Sequence, residues 1–215
     1  LEVELECIRP DMEIHYTTDG SEPTATSPLY EKIVPVKEAL TLKGAIFAHG
    51  RQMGKTLILP VRWNLATAKP VLGTNPTEKL LTNGIRGSLK YSDFEWCSWA
   101  DNDSVSFTID LLKLEMLNTL ILGCITNNGM AIHKPASVRV EVSDDNSKFR
   151  EAVVQSFTSE EIFREGNFIE NLSLKLGGTQ ARYVRVTAKG PGVCPASHVR
   201  PGQTSRIFFD EVMLE

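Results

Sequence analysis

Asn83 to Leu111 reads NGIRGSLKYSDFEWCSWADNDSVSFTIDL. It opens on a glycine-punctuated turn, runs through a loop holding Tyr91, Phe94, Trp96 and Trp99 among acidic residues, and closes in strict alternation. In the closing part Val105, Phe107, Ile109 and Leu111 form one face and Ser106, Thr108 and Asp110 the other, the period of two that marks a half-buried strand. A turn, an aromatic loop and an alternating strand in succession predict an antiparallel β architecture. Loop aromatics beside hydrogen-bonding groups also suggest a contact surface.

Downstream the same pattern returns. Val138, Val140 and Val142 alternate with Arg139 and Glu141, and Val184 and Val186 flank Arg185. Turn clusters such as Ser143-Asp144-Asp145-Asn146-Ser147 separate the strands, because Asp, Asn and Ser bond their own backbone. Ser159 to Arg164 alone suggests a helical turn. Many short strands with turns between them predict a jelly-roll β-sandwich.

Upstream, Val3, Leu5 and Cys7 alternate with Glu4 and Glu6, Ile14, Tyr16 and Thr18 with His15 and Thr17, and Leu42, Gly44 and Ile46 continue the scheme. Thr18-Asp19-Gly20-Ser21-Glu22-Pro23 is a turn cluster, and Pro28, Pro35 and Pro60 argue against long helices. Residues 1–65 therefore predict a small β-sandwich, near the lower size limit for independent folding and expected to lean on a neighbour. Asn64 to Glu78, with two prolines and no periodicity, carries the domain boundary near Asn64 or Leu65, leaving 66–215 as the second domain.

Composition narrows the function classes. Lys+Arg total 23 against Asp+Glu 27, and no basic run follows a phosphate backbone, so nucleic acid is not expected as a partner. No apolar run is long enough for a membrane span. The start, without Met and without a signal-peptide pattern, reads as a segment of a longer chain. Cys7, Cys97, Cys124 and Cys194 show no CxxC pair, which indicates neither a cysteine zinc site nor a dense disulfide framework. Buried free thiols are expected, with one or two disulfides left open.

Two resemblances add to this reading. Ile14-His15-Tyr16-Thr17-Thr18-Asp19-Gly20-Ser21-Glu22-Pro23-Thr24, then Ser27-Pro28-Leu29-Tyr30 and Leu42-Lys43-Gly44-Ala45, resemble the C-terminal domain that follows the catalytic barrel in bacterial family-20 β-N-acetylhexosaminidases and chitobiases. Leu81 to Ser88, the Trp96–Trp99 loop, Phe107 to Leu111, Pro135 to Asp145, Arg182 to Val186 and Phe208-Phe209-Asp210-Glu211-Val212 resemble a discoidin or coagulation factor V/VIII (F5/8) type C domain. In bacterial glycosidases that fold serves as a family-32 type carbohydrate-binding module. The tandem implies an all-β chain, an immunoglobulin-like β-sandwich followed by a discoidin-like jelly roll. It further implies a non-catalytic accessory segment of a secreted, periplasmic or cell-surface β-N-acetylhexosaminidase-like hydrolase, whose partners are that enzyme's catalytic domain and a glycan of the N-acetylglucosamine, N-acetylgalactosamine or galactose type. A purely structural or protein-interaction pair of sandwiches is the alternative.

The resemblance also implies residue roles. A structural calcium would be held by Asn83, Ser88, the Ile85 carbonyl and Glu211, with Asp210 secondary, although Asn83 stands where the family usually has Asp. A hydrogen-bonded loop staple is the alternative at that place. Trp96, Trp99, Tyr91, Asp93 and Asp101 have the ring-and-polar chemistry that a pyranose requires. One Trp is expected to pack inward and one to face solvent. His133 and His198, in two segments expected to be loops, are further candidate carbohydrate contacts and are expected at the surface. The adjacent Asp210-Glu211 pair resembles the family-20 catalytic pair. It sits in an apparent strand, however, with no preceding His-Gly-Gly run and no βα alternation, so catalysis is not expected. No GxSxG nucleophile elbow is present.

Overall fold

The computed structural model describes residues 1–9, 11–99 and 104–215, which fold as two compact units, Leu1–Trp63 and Asn64–Glu215. The strands of the first unit are β1 (Glu2–Val3), β2 (Glu13–Thr17), β3 (Val34–Pro35), β4 (Leu40–Ala48), β5 (Arg51–Gln52) and β6 (Leu57–Val61). β4 is central, pairing antiparallel with β2, β5 and β6, while β1 and β3 form a separate two-stranded ribbon. Val3, Val34, Val36, Leu42 and Val61 fill the space between. The expected turn at Asp19 is built as its residues dictate: Asp19 Oδ1 accepts from the Ser21 N–H at 2.9 Å, and Thr17 Oγ1 donates to the Ser21 carbonyl at 2.6 Å. The first alternating run is shorter than its pattern suggests. Ladder pairing stops at Val3, so Leu5 and Cys7 lie outside any strand.

The second unit contains β7 (Val71–Leu72), β8 (Cys97–Trp99), β9 (Ser104–Asn127), β10 (Ser137–Ser143), β11 (Arg150–Ser156), β12 (Asn167–Lys189) and β13 (Ile207–Leu214). They hydrogen-bond in the order β11-β10-β12-β9-β13-β8, with β7 also on β9. This is an antiparallel jelly-roll arrangement in which the long strands β9 and β12 pair over most of their length. Buried apolar side chains on β9 are odd-numbered from Val105 to Leu111 and at Leu117, then even-numbered from Leu120 to Cys124. A strand's side chains alternate, so this change of phase requires an irregularity. The β9–β12 register breaks at Lys175/Thr179 and at Ala181/Tyr183. At the second break Leu112 takes a left-handed φ of 69°. Asp110 holds that bend, accepting from the Leu112 N–H and from both Nε and Nη2 of Arg182. Phe107, Ile109, Leu111, Val138, Val140, Val142, Val184, Val186 and Phe209 form one buried cluster. The valines that alternate in sequence thus all face one core.

All four cysteines are free thiols, Cys7 half-buried and Cys97, Cys124 and Cys194 buried. The single α-helix among the described residues, α1 (Ser159–Ile162), starts at a capping box in which Thr158 and Glu161 satisfy each other's backbone N–H groups.

A staple ties the loop before β8 to the last strand. Asp210 and Glu211 are both fully buried on β13, where the register with β9 shifts between Phe209 and Val212. Arg86 Nε donates to Asp210 Oδ2 at 2.6 Å, the Gly87 N–H to the same oxygen at 2.9 Å, and the Glu211 N–H to Asp210 Oδ1 at 2.7 Å. A Cβ at Gly123 would run into Asp210 and Arg86, so a glycine is needed opposite the pair. Both carboxylate oxygens of Glu211 lie 3.1 Å from the Gly84 nitrogen. Burial pushes the Glu211 carboxyl up to about 9, the Gly84 N–H opposing and the Asp210 charge adding to the rise.

Two outcomes follow from the staple. Arg86→Ala leaves a buried, uncompensated Asp210 and is expected to cost the second unit about 3–5 kcal/mol, whereas Arg86→Met combined with Asp210→Leu costs much less. Urea unfolding followed by fluorescence of Trp96 and Trp99 measures both. A carboxyl whose folded pKa lies above its unfolded value contributes stability that is complete below the ordinary value of 4.5 and is lost as pH rises towards about 9. Glu211→Gln should therefore flatten the decline of the urea midpoint across that interval, and equal slopes in variant and wild type would contradict the assignment.

Candidate functional site

Four segments meet at one end of the second unit. Tyr91 sets its ring edge-on to Phe208 at 6.2 Å, and Phe208 packs with Trp96, Ile125 and Ile132 in a second buried cluster. Asn127 and Ile132 exchange backbone hydrogen bonds of 2.8 and 3.1 Å, closing the loop after β9. The His133 N–H then donates to the Arg206 carbonyl at 3.1 Å, which draws in the segment between β12 and β13. Phe163, just past α1, completes the group with its ring 5.0 Å from that of His133 and 6.1 Å from that of His198.

The expectation that one of the two Trp faces solvent is wrong: Trp96 is 5% and Trp99 8% exposed. Trp99 belongs to β8, opposite Ile207, and lies against Phe107 and Phe209. Cys97, two positions earlier, shares that inward face. Trp96 precedes the strand and enters the other cluster, its Nε1–H donating to the Ser88 carbonyl at 3.1 Å. A Cβ at Gly87 would collide with the Trp96 indole, so the loop glycine makes room for it. Three-residue spacing across a loop-to-strand transition therefore sends both rings inward, into different clusters. The exposed aromatic of this loop is Phe94, at 90%. Tyr91 is half-buried. Asp93 serves the loop itself, accepting from the Ser88 and Glu95 N–H groups. Asp101 lies outside the described residues.

His133 and His198 are likewise not surface residues. They are 0% and 8% exposed, and their Nε2 atoms are 3.1 Å apart. His198 Nδ1 accepts from the Arg200 N–H at 3.0 Å, so in the neutral pair His198 carries its proton on Nε2 and donates it to His133. Burial, with the neighbouring His198 second, lowers His133 to about 4, which keeps it neutral near pH 7. The sequence pattern missed this burial because its cause is tertiary. The Arg206 carbonyl, the Phe163 ring and the Pro195-to-Arg200 turn come from distant positions.

Beside the pair lies an open cleft of about 410 Å³ lined by Ser159, Glu160, Phe163, Arg164, Glu165, Pro195 and Ser197. It offers one half-buried ring, one guanidinium, two carboxylates and two hydroxyls. Arg164 is held with its guanidinium carbon 3.9 Å from the Phe168 ring centroid, and its Nη2 lies 3.9 Å from Glu170. Phe163, Arg164 and Glu165 were not among the sequence candidates. The Thr158-x-x-Glu161 capping pattern was the available signal, since it marks where a helix start presents the following residues.

The loop residues do not fit the expected calcium ion, which needs about six to eight converging oxygens. Asn83 Oδ1 accepts from the Ile85 N–H, and its Nδ2 donates to Glu95. Ser88 Oγ accepts from the Lys90 N–H. Glu211 meets an N–H where a metal site would present carbonyl oxygens, and Arg86 already supplies Asp210 with a positive charge. The hydrogen-bonded staple stands in that place. Asp210-Glu211 is likewise no catalytic pair, being fully buried and internally satisfied.

Among the described residues no helix is long and apolar enough to cross a membrane. No curated protein sequence matches the chain. Similar solved structures include the CpGH89CBM32-6 module produced by Clostridium perfringens (18% identity, 71% of this chain and 98% of that one, TM-score 0.46). A Streptococcus pneumoniae fucose binding module matches with 18% identity over 71% of this chain and 97% of its own, at a TM-score of 0.43. The C-terminal domain of a chitobiase from Bacteroides fragilis matches with 16% identity over 64% and 78%, at a TM-score of 0.38. Residues 1–57 match the family model of the chitobiase/beta-hexosaminidase C-terminal domain, and residues 66–199 that of the F5/8 type C domain. With more than half of its length matched by that second model, the chain belongs to the F5/8 type C domain family, preceded by a domain of the chitobiase/beta-hexosaminidase C-terminal type.

Proposed function

We propose that this chain is a non-catalytic accessory segment of a glycoside hydrolase of the β-N-acetylhexosaminidase kind, and that its second unit binds glycan. Both matched domain types are accessory types, which supports the first part. The observation carrying the second part is the cleft at the loop end, where Phe163 stands beside Arg164, Glu160, Glu165, Ser159 and Ser197. A pyranose offers an apolar C–H face and a rim of hydroxyls. A ring beside a guanidinium and carboxylates answers both, and the cleft's openness suits a chain end or a side branch of a polymer. Attachment to a catalytic domain would raise the local enzyme concentration on such a polymer without any tight contact. A secreted, periplasmic or cell-surface setting belongs to this reading.

A second reading has its own observation. Leu112, Leu114 and Met116 project from the β9 bend at 55%, 49% and 54% exposure, and among the described residues of the second unit no Trp is exposed. Such a strip would suit docking to protein, including another part of the parent chain.

Glycan-array screening followed by calorimetry on the best sugar separates the two. Phe163→Ala and Arg164→Ala are each expected to weaken binding at least tenfold, about 1.4 kcal/mol, with the fold retained. Leu112→Ser with Met116→Ser should leave it unchanged. Absence of binding to every glycan, with activity of the parent enzyme on polymeric substrate unaffected by removal of the segment, would defeat the glycan reading.

A further inference from the structure

Behind the cleft, His133, Cys194 and His198 bring one ring nitrogen of each histidine and one thiol Sγ within 4.8 Å of one another, all three residues buried. We propose that they form a binding site for one divalent cation of the zinc class, with two nitrogen ligands, one thiolate and a fourth position left for water. The proposal does not depend on glycan binding. Borderline-soft ions favour this imidazole and thiolate set, whereas calcium and magnesium take oxygen.

The geometry is close to what such an ion requires. Two imidazole nitrogens on one tetrahedral zinc, each about 2.0–2.1 Å from the metal, lie roughly 3.4 Å apart. The Nε2 atoms here are 3.1 Å apart. His133 is already in the tautomer needed: its Nε2 lone pair accepts from His198, which puts its proton on Nδ1. That Nδ1 is buried beside the Ile162 backbone, a contact too loose for full hydrogen-bond geometry. Metal-bound histidines carry their second proton at that position. Cys194 Sγ now rests 3.4 Å from Ser205 Oγ, a contact it gives up on binding the ion. A cavity of about 110 Å³, lined by His198 together with Asn128, Phe163 and Glu165, gives the fourth position room on the His198 side. Three protein ligands with an open position describe an exchangeable or reactive site rather than a closed structural one.

Two adjustments must accompany loading. The Cys194 thiol releases one proton on becoming a thiolate ligand, so apparent affinity rises with pH. The Nε2 proton of His198 must shift to Nδ1, where the Arg200 N–H now points. The Pro195–Arg200 turn must therefore move that amide away, and this turn supplies Pro195 and Ser197 to the glycan cleft. Metal at the histidines and the shape of the cleft are coupled through these residues.

Cobalt(II) is the optical probe, titrated into the whole 215-residue chain. The expected result is one ion per chain, with tetrahedral d–d absorption and a thiolate charge-transfer band, both bleached by zinc. Zinc at hundredfold excess over its Kd should raise the unfolding temperature of the second unit by about 5 °C or more. Cys194→Ser should abolish the charge-transfer band and weaken binding at least tenfold, while Cys7→Ser changes neither. If Cys194→Ser does not fold, zinc-edge X-ray absorption on the loaded wild-type chain decides, with two imidazoles and one sulfur expected. A folded wild-type chain without the cobalt bands, a charge-transfer band that persists in Cys194→Ser, or a zinc shell without sulfur would each overturn the site.

Discussion

Two adjacent acidic side chains buried on the final strand, Asp210 and Glu211, are the constraint around which the second unit is arranged. A buried carboxylate without partners costs more than most single contacts return, so its partners are obligatory. They come from a loop more than a hundred residues earlier, through the Gly84 and Gly87 N–H groups and the Arg86 guanidinium. That demand dictates the loop's shape. It requires glycine at position 123, where any side chain would enter the ion pair, and at position 87, where one would enter the Trp96 ring. Trp96 then bonds the Ser88 carbonyl and packs with Ile125, Ile132 and Phe208, which begins the loop end where the candidate sites lie.

The alternation of Val105 to Leu111, Val138 to Val142 and Val184 to Val186 made the sandwich legible, because period-two burial is a local property of each strand. The turn at Asp19 was legible for the same reason, its bonds spanning only a few residues. The site was much less so. Composition at Trp96 and Trp99 matches a sugar platform and a core equally well, and which one results depends on whether Phe107, Phe208 and Phe209 arrive to cover the rings. The histidines sit in segments that read as loops, yet their burial is produced by the Arg206 carbonyl, Phe163 and the turn after Cys194. No spacing rule carries such information when contributing residues stand about thirty to seventy positions apart. The calcium expectation came with the resemblance, and the residues at that place fit it poorly: Arg86 brings a positive charge to Asp210 and leaves a cation little to neutralise there.

The position of the candidate sites follows from what the sandwich must bury. Its inner faces are filled by one continuous apolar cluster. Segments between strands are under no such demand, so polar and charged side chains accumulate at the end of the sandwich and can face a ligand. In this chain they fall into two layers there. The outer layer, Glu160, Arg164, Glu165 and Ser197, is exposed, and the inner layer, His133, Cys194 and His198, is buried behind it. Phe163 separates them, presenting one part of its ring to the cleft and another to the imidazoles.

That layering bears on how tightly the outer cleft could hold a sugar. An exposed cleft with a single half-buried ring excludes little water, so each hydrogen bond to a hydroxyl competes with solvent and contributes weakly. Weak contact is nevertheless sufficient for a module joined to an enzyme, because tethering supplies an effective concentration of the order of millimolar and dissociation from one glycan leaves its neighbours within reach. A tight site would hinder an enzyme that must move along its substrate. Under the proposed function, the burial of both tryptophans is therefore no defect. It directs the large rings to stability, through Phe107, Phe208 and Phe209, and leaves recognition to smaller groups whose individual contributions are modest.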